Sequence, residues 1–183
     1  MTPADHLRPV AEDDVETMRL WRNDARVRGN MYTQHEISAQ EHQAWWRRTC
    51  NNPAHRYCVA MLDGVASGIV AFTSIDTFHG HASWAFYSAP AAPPGTGSRM
   101  EFIALDYAFG TLGLHKLHCE VLAYNQPVLR LHKKFGFQVE GVFREQFKTD
   151  AGRVDIHRLA ILDHEWQQRR GEIEARLNTH KQR

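Results

Sequence analysis

The chain has 183 residues, of which 43% are hydrophobic and 10% aromatic, enough apolar material for the core of one compact domain. Its 22 basic and 21 acidic side chains nearly cancel, so no basic field is present that would hold a nucleic acid. Every apolar stretch is shorter than the roughly 20 residues of a membrane span, and residues 1–14 lack the features of a signal peptide. We therefore expect a cytoplasmic protein with neither nucleic acid nor membrane as a partner.

Cysteine and histidine usage predicts neither disulfides nor a metal cofactor. Cys50, Cys58 and Cys119 are odd in number and widely spaced, which fits reduced, small apolar side chains. The 12 histidines show no i, i+4 pair of the kind that binds zinc in proteases. His79 and His81, two residues apart, could still bind a metal incidentally.

The N-terminal third predicts one edge strand and two helices. Residues 7–10 have the pattern of a short strand, and the acidic run after them predicts the start of a helix. A polar break follows over residues 22–30. Ser38 and Glu41 then have the spacing of a capping box, which predicts a second helix running to about residue 50.

The centre of the chain predicts a hairpin, a further strand and a long helix. Residues 56–62 and 65–72 flank the dipeptide Asp63-Gly64, which tolerates the positive φ angles of a type I′ turn. Residues 82–87 predict the next strand. The only Pro/Gly-rich stretch, SAPAAPPGTGS, precedes an apolar helix over residues 100–112, so we interpret this stretch as a functional loop rather than a linker.

The remaining residues predict three strands and two helices. Residues 116–122 return as a strand whose neighbours could flank it in parallel. Asn125 is predicted to cap a short helix, with Pro127 in its first turn and Gly136 at its end. Two strands, over residues 137–147 and 154–162, and a polar helix over residues 165–177 follow, and no internal repeat is found.

The loop PPGTGS at residues 93–98 lies between a predicted strand and a predicted helix. Its small residues let backbone N–H groups converge on an anion, and the helix N-terminus adds a favourable dipole. It is not a Walker loop, because no Gly-Lys-Ser/Thr follows, and it lacks the third spaced glycine of a Rossmann loop. A phosphate-binding loop and a tight glycine turn without a ligand both fit these residues.

A second motif, NQPVLRLHKKFGF at residues 125–137, follows one strand later. Together the two motifs resemble the GCN5-related N-acetyltransferase (GNAT) family, over roughly residues 63–162. The resemblance implies an α/β fold with a central mixed, mostly antiparallel sheet of about seven strands flanked by helices. It also implies acetyl-CoA as the acetyl donor and an amine as the acceptor, which we expect to be a small molecule.

The coenzyme contacts are implied by the same resemblance. Backbone N–H groups of the glycine-rich loop would hold the pyrophosphate, and the asparagine of the second motif would contact the pantetheine or phosphate arm. The amine would attack the thioester directly, without a covalent enzyme intermediate, and a backbone N–H on the fourth strand would hold the oxyanion. The coenzyme-binding residues would then be Phe86, Tyr87, Pro94, Gly95, Thr96, Gly97, Ser98, Arg99 and Asn125.

Two positions depart from the family pattern. Ala92 stands where an Arg or Gln is usual, and His132 stands where the family often has a Tyr that protonates the leaving thiolate. An imidazole with an ordinary pKa of about 6.5 is largely neutral at pH 7 and needs a partner that raises its pKa to serve as this acid. Otherwise His132 packs on the helix face, and Tyr124 is the substitute donor. The candidates to deprotonate the amine are His79, His81 and Glu101.

The N-terminal third carries the segments Trp21-Arg22-Asn23, Met31-Tyr32, Glu36-Ile37-Ser38 and Glu41-His42. These segments resemble the acetyltransferases of nucleotide-linked amino sugars, especially those of pseudaminic acid synthesis. Those enzymes acetylate the 4-amino group of a UDP-linked 4-amino-4,6-dideoxy sugar. The aromatic rings of Trp21, Tyr32, Trp45 and Trp46 could stack on a base or sugar, and Arg22, Arg47 or Arg48 could pair with a diphosphate. At least one of the adjacent Trp45 and Trp46 must pack instead. The predicted acceptor-binding residues are Trp21, Arg22, Asn23, Met31, Tyr32, His42 and Trp46.

Two other functions stay open. Residues 141–166 are also similar to the ribosomal-protein alanine acetyltransferases, whose acceptor is a protein N-terminal amine. Outside enzymes, a non-catalytic module that binds CoA or a nucleotide sugar is compatible with the missing Tyr. We expect a single domain over residues 1–183, with the acceptor side in 6–54, the acetyl-CoA core in 55–163 and a polar helix in 164–183, as a monomer or homodimer.

Overall fold

The computed structural model describes residues 5–180, in which seven strands form one mixed sheet. The strands are β1 His6–Pro9, β2 Arg56–Leu62, β3 Val65–Asp76, β4 His81–Ser88, β5 Lys116–Leu122, β6 Gln138–Thr149 and β7 Gly152–Leu162. Their order across the sheet is β1-β2-β3-β4-β5-β7-β6. Neighbouring strands are antiparallel except for β4 and β5, so the prediction of a mixed, mostly antiparallel sheet is confirmed.

Helices cover both faces of this sheet. They are α1 Val15–Asn23, α2 Ala25–Arg28, α3 Ala39–Thr49, α4 Thr96–Asp106, α5 Gln126–Phe135 and α6 Asp163–His180. A 3-10 turn leads into α1, and a π-helical turn extends α4 to Thr111. The predicted polar break contains the short helix α2, because the Asp24 side chain accepts the N–H of Arg26 and caps it. None of the helices in residues 5–180 is both long and apolar enough to cross a membrane.

Local chemistry sets the turns largely as predicted. Asp63 and Gly64 have φ angles of 52° and 79°, as a type I′ turn requires. The Ser38 hydroxyl accepts the N–H of Glu41 at 3.1 Å and begins α3. Helix α4 begins at Thr96 rather than at residue 100, because the preceding Gly95 takes a left-handed φ of 88° that would strain any side chain.

Two hydrophobic clusters lie on opposite faces of the sheet. The larger lies under α4, α5 and α6, where Phe102 and Trp166 are fully buried with ring centroids 5.3 Å apart. The smaller contains Met18 of α1 with Val59 and Ile69 of the sheet. Because successive strand residues face opposite sides, burial on both faces fixes α1 and α3 on one side and α4 to α6 on the other.

The parallel pair of β4 and β5 is short. It runs only from His81 to Ser83, opposite Lys116 to His118. Beyond these residues β4 still pairs with β3, and β5 still pairs with β7, but the two strands no longer pair with each other. The centre of the sheet is therefore open along the second half of both strands.

Candidate active site

The opening between β4 and β5 forms a cleft of about 370 Å³, called the central cleft below. Parallel strands that separate at their carboxyl ends leave backbone groups and helix N-termini facing a common space, which is where α/β proteins bind ligands. Side chains from three elements line it: Phe86 and Ser88 of β4, Cys119 and Glu120 of β5, and Asn125 and His132 of α5.

The main chain of β4 offers hydrogen-bonding groups to the central cleft. The N–H of Ala89 donates to the carbonyl of Ser67 at 2.8 Å, and such pairs recur at every second residue of an antiparallel ladder. The backbone N–H and C=O of Tyr87 therefore bond to β3, where Ile69 lies opposite. The backbone N–H and C=O of Phe86 point the other way, toward the cleft. The predicted oxyanion donors are the backbone N–H groups of Phe86 and Tyr87. The hydrogen-bond pattern between β3 and β4 favours Phe86.

The start of α4 packs against Phe86, a residue of the cleft wall. A Cβ added to Gly97 would lie 3.5 Å from Leu131 and 3.6 Å from Phe86, so the backbone of this glycine lies next to both side chains. The N–H groups of Gly95 and Gly97 make no hydrogen bond to any residue within 5–180. Free N–H groups at a helix start attract anions, so these two donors fit a phosphate.

The other predicted loop contacts need correction. The N–H groups of Thr96, Ser98 and Arg99 bond to the carbonyls of Pro93 and Gly95, and Pro94 has no N–H to donate. The Arg99 guanidinium forms ion pairs with Asp5 and Asp63. These four residues therefore shape the loop in this conformation, and the N–H groups that it leaves unbonded are those of the two glycines.

Asn125 begins α5 at the rim of the central cleft. The prediction that its side chain caps the helix is wrong, since only its backbone carbonyl accepts the N–H of Leu129, at 3.2 Å. The side-chain amide lines the cleft and makes no hydrogen bond within the described chain. An unpaired amide, two free glycine N–H groups and the Phe86 backbone together fit a phosphorylated thioester such as acetyl-CoA.

His132 and Glu101 form a buried pair at the wall of the central cleft. His132 is 3% exposed, and its Nδ1 lies 2.9 Å from Oε1 of Glu101, which is 0% exposed. Burial lowers the pKa of His132, but the Glu101 carboxylate and Cys119 raise it more, to about 10. Burial raises the pKa of Glu101 in turn, against the opposing effect of the imidazolium. The Glu101 carboxylate thereby favours the protonated form of His132 at neutral pH.

Tyr124, the predicted substitute acid, is turned away from the central cleft. Its hydroxyl donates to the carbonyl of Gly29 at 2.8 Å and accepts from the Gln34 amide at 2.9 Å. It is absent from the residues that line the cleft. The structure therefore corrects Tyr124 from a catalytic residue to one that ties the segment after α2 to the start of α5.

The three predicted bases also lie elsewhere. His79 and His81 are at the first end of β4, whereas the central cleft is at its second end. Glu101 is enclosed in α4 and bonded to His132. The spacing of residues in the sequence could not reveal that Glu101 is paired with His132. The two residues belong to different helices, which only the fold brings together.

A second cavity, of about 400 Å³, lies beside the central cleft on the side of α1 and α3. We call it the aromatic cavity, because Trp45, Tyr57 and Tyr87 line it. Trp45 and Tyr57 meet edge to face with ring centroids 5.1 Å apart. Both cavities are lined by Met31, Ala85 and Tyr87, so they adjoin across β4.

Charged and titratable groups also line the aromatic cavity. Nη2 of Arg22 donates to the carbonyl of Thr33 at 2.9 Å, whereas its Nη1 is buried without a partner in residues 5–180. Burial lowers the pKa of this guanidinium. Burial also lowers the pKa of His42, which keeps its imidazole neutral at pH 7 and able to accept a proton.

Three of the predicted acceptor-binding residues, Arg22, Met31 and His42, meet in the aromatic cavity. Trp46 does not: it is 6% exposed, and its Nε1 donates to Glu12 at 3.2 Å. Its neighbour Trp45 lines the cavity instead. Helical spacing showed only that adjacent tryptophans diverge, and the packing of α3 decided which one faces the cavity.

The other predicted acceptor contacts have structural partners. The Asn23 amide bonds both the N–H and the carbonyl of Ile37, each at 2.8 Å. Trp21 packs against the smaller hydrophobic cluster. The Tyr32 hydroxyl donates to Glu120 at 2.6 Å. None of these three residues lines the aromatic cavity, although Asn23 holds Ile37, which does.

Comparison with known proteins identifies the class. The chain belongs to the acetyltransferase (GNAT) domain family, whose model matches residues 6–138. Fold, cleft and family together make it an acetyl-CoA-dependent N-acetyltransferase that acts on amines, and the predicted α/β fold and acetyl donor are confirmed. The alternative of a non-catalytic module is not supported.

Individual relatives carry the name of polyamine enzymes. Spermidine N(1)-acetyltransferase of Escherichia coli (strain K12) is 25% identical over 161 residues, which cover 87% of each chain. The Vibrio cholerae enzyme of that name is 26% identical over 159 residues, 85% of this chain and 91% of its own. The crystal structure of spermidine N-acetyltransferase from Vibrio cholerae with CoA and spermine superposes with a TM-score of 0.83 at 24% identity, covering 91% and 99% of the two chains. These comparisons do not include a nucleotide-sugar enzyme. The resemblance to such enzymes therefore rests only on the N-terminal sequence segments.

The assignment of the CoA contacts can be tested by binding. Asn125→Ala removes one side-chain hydrogen bond and should weaken CoA binding about tenfold in calorimetry, since such a bond is worth about 1 to 1.5 kcal/mol. Gly97→Val should weaken it further by filling the cleft wall between Leu131 and Phe86. Gly171→Ala, whose added Cβ meets open space, is the control and should bind as the wild type does. Unchanged affinity in both cleft variants would contradict the assignment.

The acid strength of His132 can be tested with Glu101→Gln, which keeps the shape of the partner but removes its charge. Without that charge, burial should lower the His132 pKa from about 10 to below its ordinary value of 6.5. In the wild type, the stability contributed by protonated His132 is full below pH 6.5 and is lost as the pH rises toward about 10. The imidazole resonances in NMR titrations would report the shift. Glu41→Gln, which removes the partner of the exposed His35, should leave His132 unchanged.

Proposed function

We propose that the protein acetylates the amino group of a nucleotide-linked amino sugar, of the UDP-linked 4-amino-4,6-dideoxy type, with acetyl-CoA as the donor. The observation that carries the proposal is the buried, unpartnered Nη1 of Arg22 in the aromatic cavity. A buried guanidinium N–H without an acceptor is costly, and an anionic or carbonyl-rich ligand satisfies it.

The charges of the aromatic cavity favour an anionic acceptor over a polyamine. Arg22 and Arg48 both line it, and the one carboxylate among its described lining residues, Glu41, is bonded to His35 at 3.0 Å. A polyamine carries several positive charges at pH 7 and needs carboxylates to replace its hydration. A diphosphate instead pairs with guanidinium groups, often through two parallel hydrogen bonds.

The shape of the aromatic cavity supports the same acceptor. Trp45, Tyr57 and Tyr87 present rings on which a nucleobase or a sugar ring stacks, with Met18 and Ile69 behind them. Because the cavity adjoins the central cleft across β4, an amino group at the end of such a ligand lies beside the thioester site. His42, neutral and lining the cavity, is placed to take the proton of the incoming ammonium.

Transfer then needs two further groups of this chain. The Phe86 N–H donates to the thioester carbonyl oxygen as the amine attacks the carbonyl carbon and negative charge develops on that oxygen. As the carbon–sulfur bond breaks, His132 gives its proton to the departing sulfur and the attacking nitrogen releases its extra proton to water, so CoA leaves as a thiol and the product is a neutral amide. Glu101 holds the imidazolium in place and is a positioning residue. The reaction is direct and needs no covalent enzyme intermediate.

A second acceptor class is a polyamine, which the names of the relatives favour. A protein N-terminal amine is the third. Thiol release from acetyl-CoA, measured in parallel with the UDP-linked amino sugar, spermidine and an N-terminal peptide, distinguishes them. The highest kcat/KM should belong to the amino sugar. A higher value for spermidine would overturn the nucleotide-sugar proposal and leave the acetyltransferase in place.

Arg22→Gln should lower kcat/KM for the amino sugar by about 10- to 100-fold, the value of a hydrogen bond to a charged group. The matched control is Arg47→Gln, because Arg47 bonds Gln43 outside the aromatic cavity and should not affect turnover. Steady-state kinetics with both variants measure the effect. Equal kinetics of Arg22→Gln and wild type would contradict the role of Arg22.

His132→Gln tests the acid directly. Gln keeps a hydrogen-bond donor toward Glu101 but has no proton to transfer, so kcat should fall by about 10²- to 10⁴-fold. Affinity for CoA, measured by calorimetry, should stay within about twofold, because no phosphate contact is altered. A kcat equal to that of the wild type, with an unchanged pH profile, would make His132 a packing residue.

A further inference from the structure

The hairpin between β3 and β4 brings three metal-binding side chains together at the end of the sheet away from the central cleft. Asp76, the last residue of β3, lies directly opposite His81, the first residue of β4. His79 lies in the turn that joins them. Each side chain offers one ligand atom, and the three atoms lie within 4.8 Å of one another.

Hydrogen bonds hold the Asp76 carboxylate in one orientation. Its Oδ1 accepts the backbone N–H groups of Phe78 at 3.0 Å and His79 at 2.8 Å. Its other oxygen, Oδ2, thereby faces the two imidazoles, 2.9 Å from Nδ1 of His79 and 3.9 Å from Nε2 of His81. Oδ1 therefore stabilises the turn, and Oδ2 remains available to bind a cation.

Neighbouring rings contact both imidazoles. Phe78 lies edge-on to His79 with ring centroids 4.8 Å apart, and His118 lies 5.8 Å from His81 on its other side. The turn itself is anchored, because the carbonyl of Gly80 accepts the N–H groups of His115 and Lys116 at 2.7 and 3.0 Å. Preformed ligands lose little conformational entropy when they bind.

We propose that Asp76, His79 and His81 form a binding site for a divalent transition-metal ion of the zinc type. Imidazole nitrogens select zinc, copper or nickel over magnesium and calcium, and one carboxylate completes a common three-ligand set. Zinc bonds of about 2.0 to 2.2 Å place its ligands about 3 to 3.5 Å apart in a tetrahedron. The half-exposed imidazoles reach that spacing by a shift on the order of 1 Å, and water takes the fourth position.

The charges around this hairpin do not oppose a cation. The ammonium of Lys116, which lies opposite His81 in the sheet, is paired with Glu140. The His115 imidazole faces the carboxylate of Asp163. The bound ion would cross-link the β3–β4 turn near the parallel pair of β4 and β5, independently of the acceptor proposed above.

Zinc titration of the tag-free, metal-free full chain tests the site. Competition with a chromophoric chelator should give one ion per chain, and Co²⁺ should give a visible absorption band from imidazole and carboxylate ligands. His79→Ala and His81→Ala should each weaken zinc binding more than about tenfold, since even an outer partner of a ligand is worth 10- to 100-fold. The double variant should lose the site, together with the rise in thermal midpoint that zinc gives the wild type.

His35→Ala is the matched control, because His35 is another exposed histidine paired with a single carboxylate, Glu41. It should bind zinc as the wild type does. Unchanged CoA affinity of the double variant would establish that it folds, since the two sites lie at opposite ends of β4. Zinc binding by the double variant as tight as by the wild type, or no binding by the wild type below about 100 µM, would overturn the site. Neither outcome bears on the acceptor.

Discussion

Parallel pairing between β4 and β5 lasts for only three residues on each strand, and the arrangement of the site depends on where it stops. Once the strands part, the Phe86 backbone pairs with no residue on the side that faces β5, and its N–H there is free to bind a ligand. Helices α4 and α5 both begin beside the opening. The separation of the two strands thus opens a cleft and leaves one strand N–H and two helix N-termini beside it. It requires no special sequence in the strands themselves.

The pairing of Glu101 with His132 adds a proton donor to this opening. A carboxylate that is 0% exposed is unstable alone, and the imidazolium beside it offsets much of that cost. In return, the Glu101 carboxylate raises the pKa of His132 to about 10 and favours the protonated imidazole. In the mechanism proposed above, this imidazole acts at the position where the family often has a Tyr.

Acceptor choice is a separate matter from the donor site. The donor side uses backbone N–H groups, which tolerate wide sequence change, and the fold superposes on a spermidine enzyme with a TM-score of 0.83 at 24% identity. The acceptor side uses side chains from α1, α3 and the segment between them, such as Arg22, His42 and Trp45. Relatives that share the fold can therefore differ in the amine they acetylate.

Sequence alone was enough for the elements whose cause is local. The Asp63-Gly64 turn and the Ser38 start of α3 follow from the chemistry of a few neighbouring residues, and the paired motifs at residues 93–98 and 125–137 were enough for the family and its donor. Contacts between distant segments were decided only in the folded chain. Packing joined Glu101 to His132, turned Tyr124 toward Gly29, and chose Trp45 over Trp46. A side chain's partner across 30 or 90 residues depends on how helices pack on the sheet, which no local spacing encodes.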